Sequence, residues 1–285
     1  MRKSKTLFIG LGRMGFPMAG HLSKIKNIDL YVYNRTKSKE INWLKTYKGS
    51  SYRLSKDYKF DYIITCLKDD QSLKNILQEI LNNKNFKKNT VLIDHSTISI
   101  DLVHLISKLF KNKLSFLDSP VTGGEEGAKN GMLSVMVGGN ASLFKKSKSI
   151  MSAYSKNITY MGKLGNGQLT KYTNQILICG ILYSIAEAFK FGKKNNINLN
   201  NLYDAIKNGA AGSWQFSNRF PTILKNKFNF GFSTELMAKD LKYVLKQSKK
   251  NQINLKLTKE VYLKYKKLSN SRYKKSDTSS LIKTF

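Results

Sequence analysis

Three glycines near the start of the chain have the spacing Gly-x-Gly-x-x-Gly. They follow residues 6–9, an apolar run typical of a β-strand, and precede a segment that can continue as a helix. In such a turn the backbone can approach phosphates closely, and the unpaired N–H groups of the helix N-terminus attract negative charge. A tight turn without a ligand has the same pattern, but the flanking elements favour a dinucleotide pyrophosphate. The residues predicted to bind it are Gly10, Leu11, Gly12, Arg13, Met14 and Gly15.

The end of the second predicted strand bears on which dinucleotide is bound. NAD-binding domains usually place an acidic residue there to accept hydrogen bonds from the adenosine ribose. This chain has Asn34, Arg35 and Thr36 instead. Arg35 could pair with a 2′-phosphate through its planar guanidinium, and Thr36 could donate from its hydroxyl. We therefore expect NADP(H) to be preferred over NAD(H), although Thr36 could also serve as the N-cap of the next helix.

Two later strand ends are further candidates for the same ligand. Leu67 ends the apolar strand 61–67, and Thr97 lies just beyond the strand 91–94. Ligands of a wound parallel sheet bind outside the carboxyl ends of its strands. Both segments are therefore expected to face the cofactor, although neither pattern is specific by itself.

A second group of residues has the composition of an anion site. Thr122, Gly123 and Gly124 follow the strand that ends at Asp118. Successive glycines can aim several backbone N–H groups at one point, and the Thr122 hydroxyl adds a donor. A substrate carboxylate is the natural occupant of such a nest. The alternative is a flexible loop.

A lysine is the candidate proton carrier. On a helix, Lys171 shares one face with Asn174 and Gln175, and apolar residues continue that face. An ammonium at the polar end of a buried stripe can donate or accept a proton. In a chain so rich in lysine, an ordinary surface residue is the competing interpretation. The position of Lys171 just after the glycines 165 and 167 favours the catalytic one.

The remaining chemical groups carry weaker signals. Lys239, beside Asp240, could reach toward a bound cofactor, but such a pair on a helix is usually structural. The three histidines, His21, His95 and His104, have neither metal-ligand spacing nor the arrangement of a catalytic triad. We therefore predict no metal site and assign no catalysis to them.

Strand and helix patterns alternate along the first part of the chain. This alternation predicts a wound α/β sheet over residues 1–162, with a short third strand near 51–54. Residues 168–195 have the length and apolar spacing of one long helix, and several shorter helices follow. The predicted domains are therefore 1–162, an α/β nucleotide-binding domain, and 163–285, an all-α domain joined to the first by the long helix.

Composition limits the remaining possibilities. The chain has 285 residues and a formal net charge of +32, which raises nucleic acid as a partner. The basic residues are scattered, however, so we expect instead that they attract an anionic cofactor and an acidic substrate. No apolar run of membrane length and no signal-peptide core is evident. The two cysteines read as buried thiols, which favours a reduced, cytoplasmic setting.

Taken in order, four motifs resemble the β-hydroxyacid dehydrogenase family. They lie at residues 10–19, 118–124, 165–171 and 239–240, and the likeness extends nearly to the end of the chain. The family includes 3-hydroxyisobutyrate dehydrogenase, tartronate semialdehyde reductase and glyoxylate–succinic semialdehyde reductase. The order of the motifs is specific for the family but not for a substrate.

The resemblance implies a Rossmann domain, a helical domain and an active site between them. It also implies hydride transfer between NADP(H) and a small β-hydroxyacid or its semialdehyde, and a homo-oligomer. The roles it implies are general acid/base for Lys171, substrate binding for Thr122, Gly123, Gly124, Asn174 and Gln175, and cofactor contact for Leu67, Thr97, Lys239 and the Asn34–Thr36 segment.

Two departures from the family pattern concern the substrate pocket. The family usually has serine where Thr122 stands and a second asparagine where Gln175 stands. The hydroxyl and the amide are retained, so the chemistry is unaffected while the size of the substrate is open. Two other functions stay open as well: an imine-reductase-like enzyme, whose relatives generally lack the lysine, and a non-catalytic cofactor-binding scaffold associated with nucleic acid.

Overall fold

The computed structural model of the chain describes residues 3–53, 58–84, 86–111 and 113–285. The chain divides into two compact units, Met1–Lys171 and Tyr172–Phe285. The predicted boundary at 162/163 lies shortly before this division, and the predicted long helix crosses it.

The N-terminal unit is built on a six-stranded parallel sheet with the order β3-β2-β1-β4-β5-β6. This is the strand order of a doubly wound dinucleotide-binding fold. Of the predicted third strand, Ser51 is in β3, whereas Leu54 lies outside the described residues. The strands are β1 (Ser4–Ile9), β2 (Ile28–Tyr33), β3 (Ser50–Ser51), β4 (Phe60–Thr65), β5 (Phe86–Asp94) and β6 (Ser115–Asp118).

Helices connect β1 to β2, β2 to β3, β4 to β5 and β5 to β6, as the alternating pattern predicted. Their apolar faces cover the sheet, which is buried on both sides because parallel strands need crossover connections. Asp69 and Ser99 cap two of them through side-chain hydrogen bonds to Ser72 and Leu102. The helices are α1 (Gly15–Leu22), α2 (Lys37–Thr46), α3 (Asp70–Asn82) and α4 (Ile100–Leu109).

The register of the sheet aligns the carboxyl ends of five strands. Tyr33 pairs with Ile9, Ile9 with Thr65, Thr65 with Asp94, and Asp94 with Asp118. The segments that follow these residues therefore leave the sheet along one edge. They include every candidate segment that the sequence placed after a strand of this sheet.

A smaller sheet completes the unit. It comprises β7 (Val121–Thr122), β8 (Leu133–Val137) and β9 (Ser155–Tyr160), with α5 (Gly124–Lys129) and α6 (Ala141–Met151) in its connections. A bridge between Asp118 and Gly138 links it to the large sheet. Sequence analysis did not predict β9, because its residues are mostly polar and exposed and lack the alternation of a half-buried strand.

The C-terminal unit is helical. The long predicted helix is α7 (Asn166–Lys194), which begins in the N-terminal unit. The unit packs around an apolar core that includes Phe220, Met237 and Tyr265, all fully buried. The other helices are α8 (Leu199–Ile206), α9 (Trp214–Leu224), α10 (Thr234–Lys250), α11 (Lys256–Ser269) and a final 3₁₀ helix (Thr278–Thr284).

Helix α7 is long and apolar enough to cross a membrane by length and composition alone, contrary to the expectation from sequence that no apolar run of membrane length is present. Its residues Cys179, Leu182, Ile185 and Ala186 are buried in the core of the C-terminal unit. A core helix passes the same test, so the observation is weak evidence for a membrane span.

Neither of the two cysteines forms a disulfide, in agreement with the prediction of thiols, but they differ in burial. Cys66 is half-buried, whereas Cys179 is buried and burial raises the pKa of its thiol to about 11. Because the thiolate is the reactive form, Cys179 is inert at neutral pH.

Candidate functional site

The three glycines of the first motif have different structural environments. Gly10 has φ +102°, and a Cβ on it would collide with the carbonyl oxygen of Cys66. A Cβ on Gly15 would collide with the carbonyl oxygen of Gly10, so this glycine lets α1 pack against the turn. A Cβ on Gly12, in contrast, would meet no atom within 4 Å. The backbone at Gly12 is thus open to a ligand, as a pyrophosphate requires.

Asn34 ties the glycine turn to the end of β2. Its Oδ1 accepts a hydrogen bond from the Leu11 N–H at 2.9 Å, and its Nδ2 donates to the Thr36 carbonyl at 3.0 Å. The Gly10 N–H donates to the Tyr33 carbonyl at 2.9 Å. The side chain at position 34 therefore shapes the binding turn.

Arg35 and Thr36 are both exposed at the start of α2. Thr36 is the N-cap residue, but in the described structure its side chain makes no capping hydrogen bond. A carboxylate that sequence analysis did not consider, Glu40, is buried nearby, where it accepts from the Asn34 N–H and pairs with Lys37. Its charge is therefore held inside the unit, and the exposed groups at the end of β2 are a cation and a hydroxyl.

The ends of β4 and β5 are joined by a side-chain hydrogen bond. The Leu67 N–H donates to the Ser96 hydroxyl at 2.8 Å, and the His95 N–H donates to the Thr65 carbonyl at 2.8 Å. Thr97, next in the chain, is half-buried. Leu67 and Thr97 thus follow adjacent strands at the edge where the glycine turn lies.

Asp118, at the end of β6, holds the beginning of α7. Its carboxylate is fully buried and accepts the backbone N–H groups of Gly165 and Gln168, each at 2.8 Å. Burial raises the pKa of Asp118 to about 6, while hydrogen bonds from backbone N–H groups act in the opposite direction. Above that pH the side chain is an anion that caps the helix N-terminus, where negative charge is stabilised.

Glycines allow this close approach. A Cβ on Gly138 would lie 2.8 Å from the Gly167 nitrogen and would also collide with the Asp118 carboxylate. A Cβ on Gly167 would lie 2.8 Å from the same carboxylate and would collide with backbone carbonyl oxygens. Of the Gly-x-Gly pair before Lys171, Gly167 is thus required by the packing of α7 against β6, whereas Gly165 is favoured by its φ of +92°.

Gln168 makes a second connection from the same turn. Its side chain is fully buried; Oε1 accepts from the Ile98 N–H at 3.2 Å, and Nε2 donates to the Ser96 carbonyl at 2.8 Å. The segment that contains Thr97 is therefore bonded on both sides to α7. Sequence analysis did not single out Gln168 or the Asp118 carboxylate, although both stand inside motifs that it quoted.

Thr122 ends β7, and the two glycines after it turn the chain into α5. Gly123 and Gly124 have φ of +123° and +63°, and both are exposed. Thr122 is half-buried. A loop with two positive φ angles and exposed backbone has the local form expected of an anion nest.

Lys171 is buried, with 8% of its surface exposed. Among the lysines and arginines in the described ranges, it alone is buried. Burying an ammonium is costly, so a chain with 50 lysines and arginines has little physical reason to bury one except at a site. The competing interpretation, an ordinary surface lysine, is wrong on this count.

In the C-terminal unit, the predicted amide pair forms a chain of hydrogen bonds. Asn174 Nδ2 donates to Gln175 Oε1 at 2.8 Å, and Gln175 Nε2 donates to the Asp240 carboxylate at 2.8 Å. Lys239 Nζ lies 3.1 Å from the other Asp240 oxygen. Gln175 is almost fully buried, whereas Asn174 is half-buried. Gln175 thus uses both ends of its carboxamide to connect Asn174 to Asp240.

Two titratable side chains are buried beneath the edge of the large sheet. Asp94 accepts from the Thr65 hydroxyl at 2.7 Å, and burial raises its pKa to about 7. His95 lies between the Ser119 carbonyl at 2.6 Å and the Tyr154 hydroxyl at 2.7 Å, and burial lowers its pKa to about 4. His95 is therefore a neutral imidazole inside the fold at neutral pH.

The sheet order, the open Gly12 backbone and the strand ends around it are those of a dinucleotide-binding protein. A family profile described as "NAD binding domain of 6-phosphogluconate dehydrogenase" matches residues 5–162. A second profile, "NAD-binding of NADP-dependent 3-hydroxyisobutyrate dehydrogenase", matches residues 165–285.

Named relatives agree with the profiles. An uncharacterized oxidoreductase of Shewanella frigidimarina is 38% identical over 98% of this chain and 97% of its own length. The 2-hydroxy-3-oxopropionate reductase of Escherichia coli is 31% identical over 87% of this chain and 85% of its own. A Mycobacterium tuberculosis 3-hydroxyisobutyrate dehydrogenase structure with L-serine has a TM-score of 0.87 at 24% identity, covering 99% of each chain.

The chain belongs to the β-hydroxyacid dehydrogenase family. It is an NAD(P)-binding oxidoreductase with a Rossmann-type sheet followed by helices. The resemblance read from the four sequence motifs is confirmed, as is the fold class.

The contrast between two glycines gives a matched test of the cofactor turn. Gly12→Ala should leave the thermal unfolding midpoint within about 2 °C but weaken NADPH binding roughly tenfold, because the added methyl enters open space used by the ligand. Gly15→Ala should instead lower the midpoint by several degrees, because its methyl collides with the Gly10 carbonyl. Calorimetry and fluorescence titration measure both. Unchanged NADPH affinity in folded Gly12→Ala would contradict the assignment.

The buried imidazole gives a pH-dependent stability. Folded His95 stays neutral down to about pH 4, whereas the unfolded side chain binds a proton near its ordinary pKa of 6.5. Its contribution to stability is therefore present above pH 6.5 and is lost as the pH falls toward 4. Asp94 acts with the opposite sign, because its raised pKa favours the folded state as the pH falls below about 7.

A variant isolates the histidine contribution from that of Asp94. His95→Gln should be less stable than the parent chain at pH 7, and this difference should shrink by about 2 kcal/mol by pH 5, measured by urea unfolding. Exposed His104→Gln, the same substitution at a histidine on the surface, is measured alongside as the matched control. A His95→Gln difference that is constant from pH 7 to 5 would show that His95 is not buried as neutral imidazole.

Proposed function

We propose that the chain catalyses reversible hydride transfer between NADP(H) and a small β-hydroxyacid or its semialdehyde, with Lys171 as general acid/base. The bound nicotinamide cofactor supplies or accepts the hydride. In the reductive direction Lys171 gives a proton to the oxygen that becomes the hydroxyl, and in the oxidative direction it removes that proton.

The observation that carries this proposal is the burial of Lys171. Removing a charged side chain from water costs free energy, and buried ionisable groups are found most often at functional sites. Its helix begins at the carboxyl edge of the sheet, held there by Asp118 and Gln168. This is the edge at which a wound sheet binds its ligands.

The loop at Thr122–Gly124 supports a carboxylate-bearing substrate. Its exposed backbone and positive φ angles suit an anion, and the Thr122 hydroxyl offers another donor. The net charge of +32 draws acids toward the protein in general. Relatives named for small hydroxyacids, such as the E. coli reductase, point to the same substrate class.

Asn174 and Gln175 are proposed to orient the reacting oxygen from the face of α7 that Lys171 shares by helical spacing. Because Gln175 is bonded to Asp240, Asn174 is the better candidate for direct contact and Gln175 for support. Leu67, Thr97 and Lys239 are retained as proposed cofactor contacts. A homo-oligomer also stays a prediction; exposed Leu177 (62%) and Phe191 (69%) on α7 support it.

Lys171 can be tested directly with NADPH and a panel of glyoxylate, succinic semialdehyde, tartronate semialdehyde and methylmalonate semialdehyde. Lys171→Ala should lower kcat by about 10²-fold or more, because a positioned proton donor contributes at least that much. NADPH binding should persist. Exposed Lys163→Ala, in the same glycine-rich segment, is the control for loss of charge.

The outcomes of this assay distinguish the lysine mechanism from the two alternative functions. Turnover of an aldehyde that survives in Lys171→Ala would refute the lysine mechanism. Turnover of imines in place of the aldehydes would favour the imine-reductase alternative. Tight NADPH binding with no turnover, together with salt-sensitive DNA binding, would favour the scaffold.

The cofactor preference depends on Arg35. Arg35→Ala should raise the KM for NADPH about tenfold and leave the KM for NADH nearly unchanged, because only NADPH has the 2′-phosphate that the guanidinium can bind. Exposed Lys39→Ala removes the same charge four residues further on, in the first turns of α2, and serves as the control. If both variants raise the KM for NADPH equally, general electrostatic attraction and not Arg35 explains the preference for NADPH. If the parent enzyme turns over equally fast with NADH and NADPH, there is no preference to explain.

A further inference from the structure

Two buried side chains hold the start of α7 to different parts of the large sheet. The Asp118 carboxylate accepts two backbone N–H groups from the first turn, at 2.8 Å each. The Gln168 carboxamide bonds in the reverse direction, from that turn to the backbone of Ser96 and Ile98. Neither side chain is assigned a contact with substrate or cofactor.

These hydrogen bonds constrain the position of the Lys171 backbone. Lys171 lies three residues after Gln168, about one helical turn further on, so its backbone moves with that turn. The segment bonded by Gln168 contains Thr97 and follows β5. The hydrogen bonds of Gln168 thus fix the distance between the helix that carries Lys171 and the segment proposed to contact the cofactor.

We propose that Asp118 and Gln168 are positioning residues that hold Lys171 in register with the segment after β5 for proton transfer. The inference rests on the proposed catalytic role of Lys171. Misplacing a catalytic group by about 1 Å can cost about 10²-fold in rate, so a helix start fixed at two points has a kinetic consequence as well as a structural one.

Asp118→Asn is the least disruptive change at the first point. It keeps the shape of the side chain, which matters because Gly138 and Gly167 leave no room for a larger one. A carboxylate accepts both backbone N–H groups, whereas an amide has one oxygen and turns its NH₂ toward the second N–H. One hydrogen bond is therefore lost and two donors face each other at the start of α7.

Gln168→Met is the corresponding change at the second point. It retains the length and volume of the side chain but removes both hydrogen bonds to Ser96 and Ile98. Because this variant releases the segment that holds Thr97, it should affect the cofactor as well as the lysine. It also tests the proposal should Asp118→Asn fail to fold.

The control is a helix cap of the same kind elsewhere in the chain. Asn198 caps α8 by accepting the N–H groups of Asn200 and Asn201, at 3.0 and 3.2 Å. Asn198→Ala removes two such hydrogen bonds from a helix that carries no site residue. It should lower the unfolding midpoint and leave kcat within twofold of the parent enzyme.

The expected kinetic pattern differs between the two positioning variants. Asp118→Asn should lower kcat by about tenfold or more, with the Kd for NADPH and the substrate KM within about twofold of the parent values. Gln168→Met should lower kcat and also raise the Kd for NADPH. Steady-state assays on the best aldehyde of the panel and fluorescence titration supply these values.

A double-mutant cycle separates positioning from general damage. In the Lys171→Ala background, Asp118→Asn should change the residual kcat by less than twofold, because no proton donor is left to position. An equal loss in both backgrounds would overturn the proposal, and so would a folded Asp118→Asn and a folded Gln168→Met that both retain the parental kcat. If Lys171→Ala itself keeps full kcat, the proposed function fails first and the cycle reports no positioning.

Discussion

The contact between the Asp118 carboxylate and the first turn of α7 is the interaction on which the N-terminal unit's site depends. It joins the last strand of the large sheet to the helix that carries Lys171. An anion at a helix N-terminus satisfies N–H groups that would otherwise lack partners, and it does so with favourable electrostatics. The burial that raises the pKa of Asp118 also strengthens each hydrogen bond, because little water competes for the donors.

Glycines serve two opposite purposes in this chain. Gly15, Gly138 and Gly167 are places where backbone must touch backbone or a buried carboxylate, so a methyl would collide. Gly12 is a place where nothing of the protein fills the space. The first kind of glycine is required by packing, whereas the second leaves backbone open, as the proposed cofactor site needs.

Much of the fold was predictable because its signals are local. The glycine turn, the alternating strands and helices and the length of α7 each lie within one stretch of sequence, and the six-stranded sheet and the helix at Asn166–Lys194 follow them closely. The family could be recognised from sequence for the same reason, because each of its four motifs is a short, continuous stretch. Strand β9 was missed because its exposed polar residues carry no local pattern.

The candidate site was less predictable, because its supports are non-local. Asp118 reaches Gly165 across 47 positions and Gln168 reaches Ser96 across 72, and no periodicity reports such pairs. Gln175 was recognised as a departure from the family pattern, but its bond to Asp240, 65 positions away, shows what the longer side chain reaches. Types of residue could be assigned from sequence; their partners could not.

The lysine-rich composition sharpens the choice of site residue once burial is known. In sequence, Lys171 is one of 50 basic residues, and abundance argues for the ordinary explanation. In the fold, the other described lysines and arginines keep contact with water, as a compositional bias acting on a surface would require. A residue that this bias does not account for must be explained by its surroundings. Lys171 is buried at the start of a helix that two side chains hold to the sheet, and this burial is what supports the role in chemistry that we propose for it.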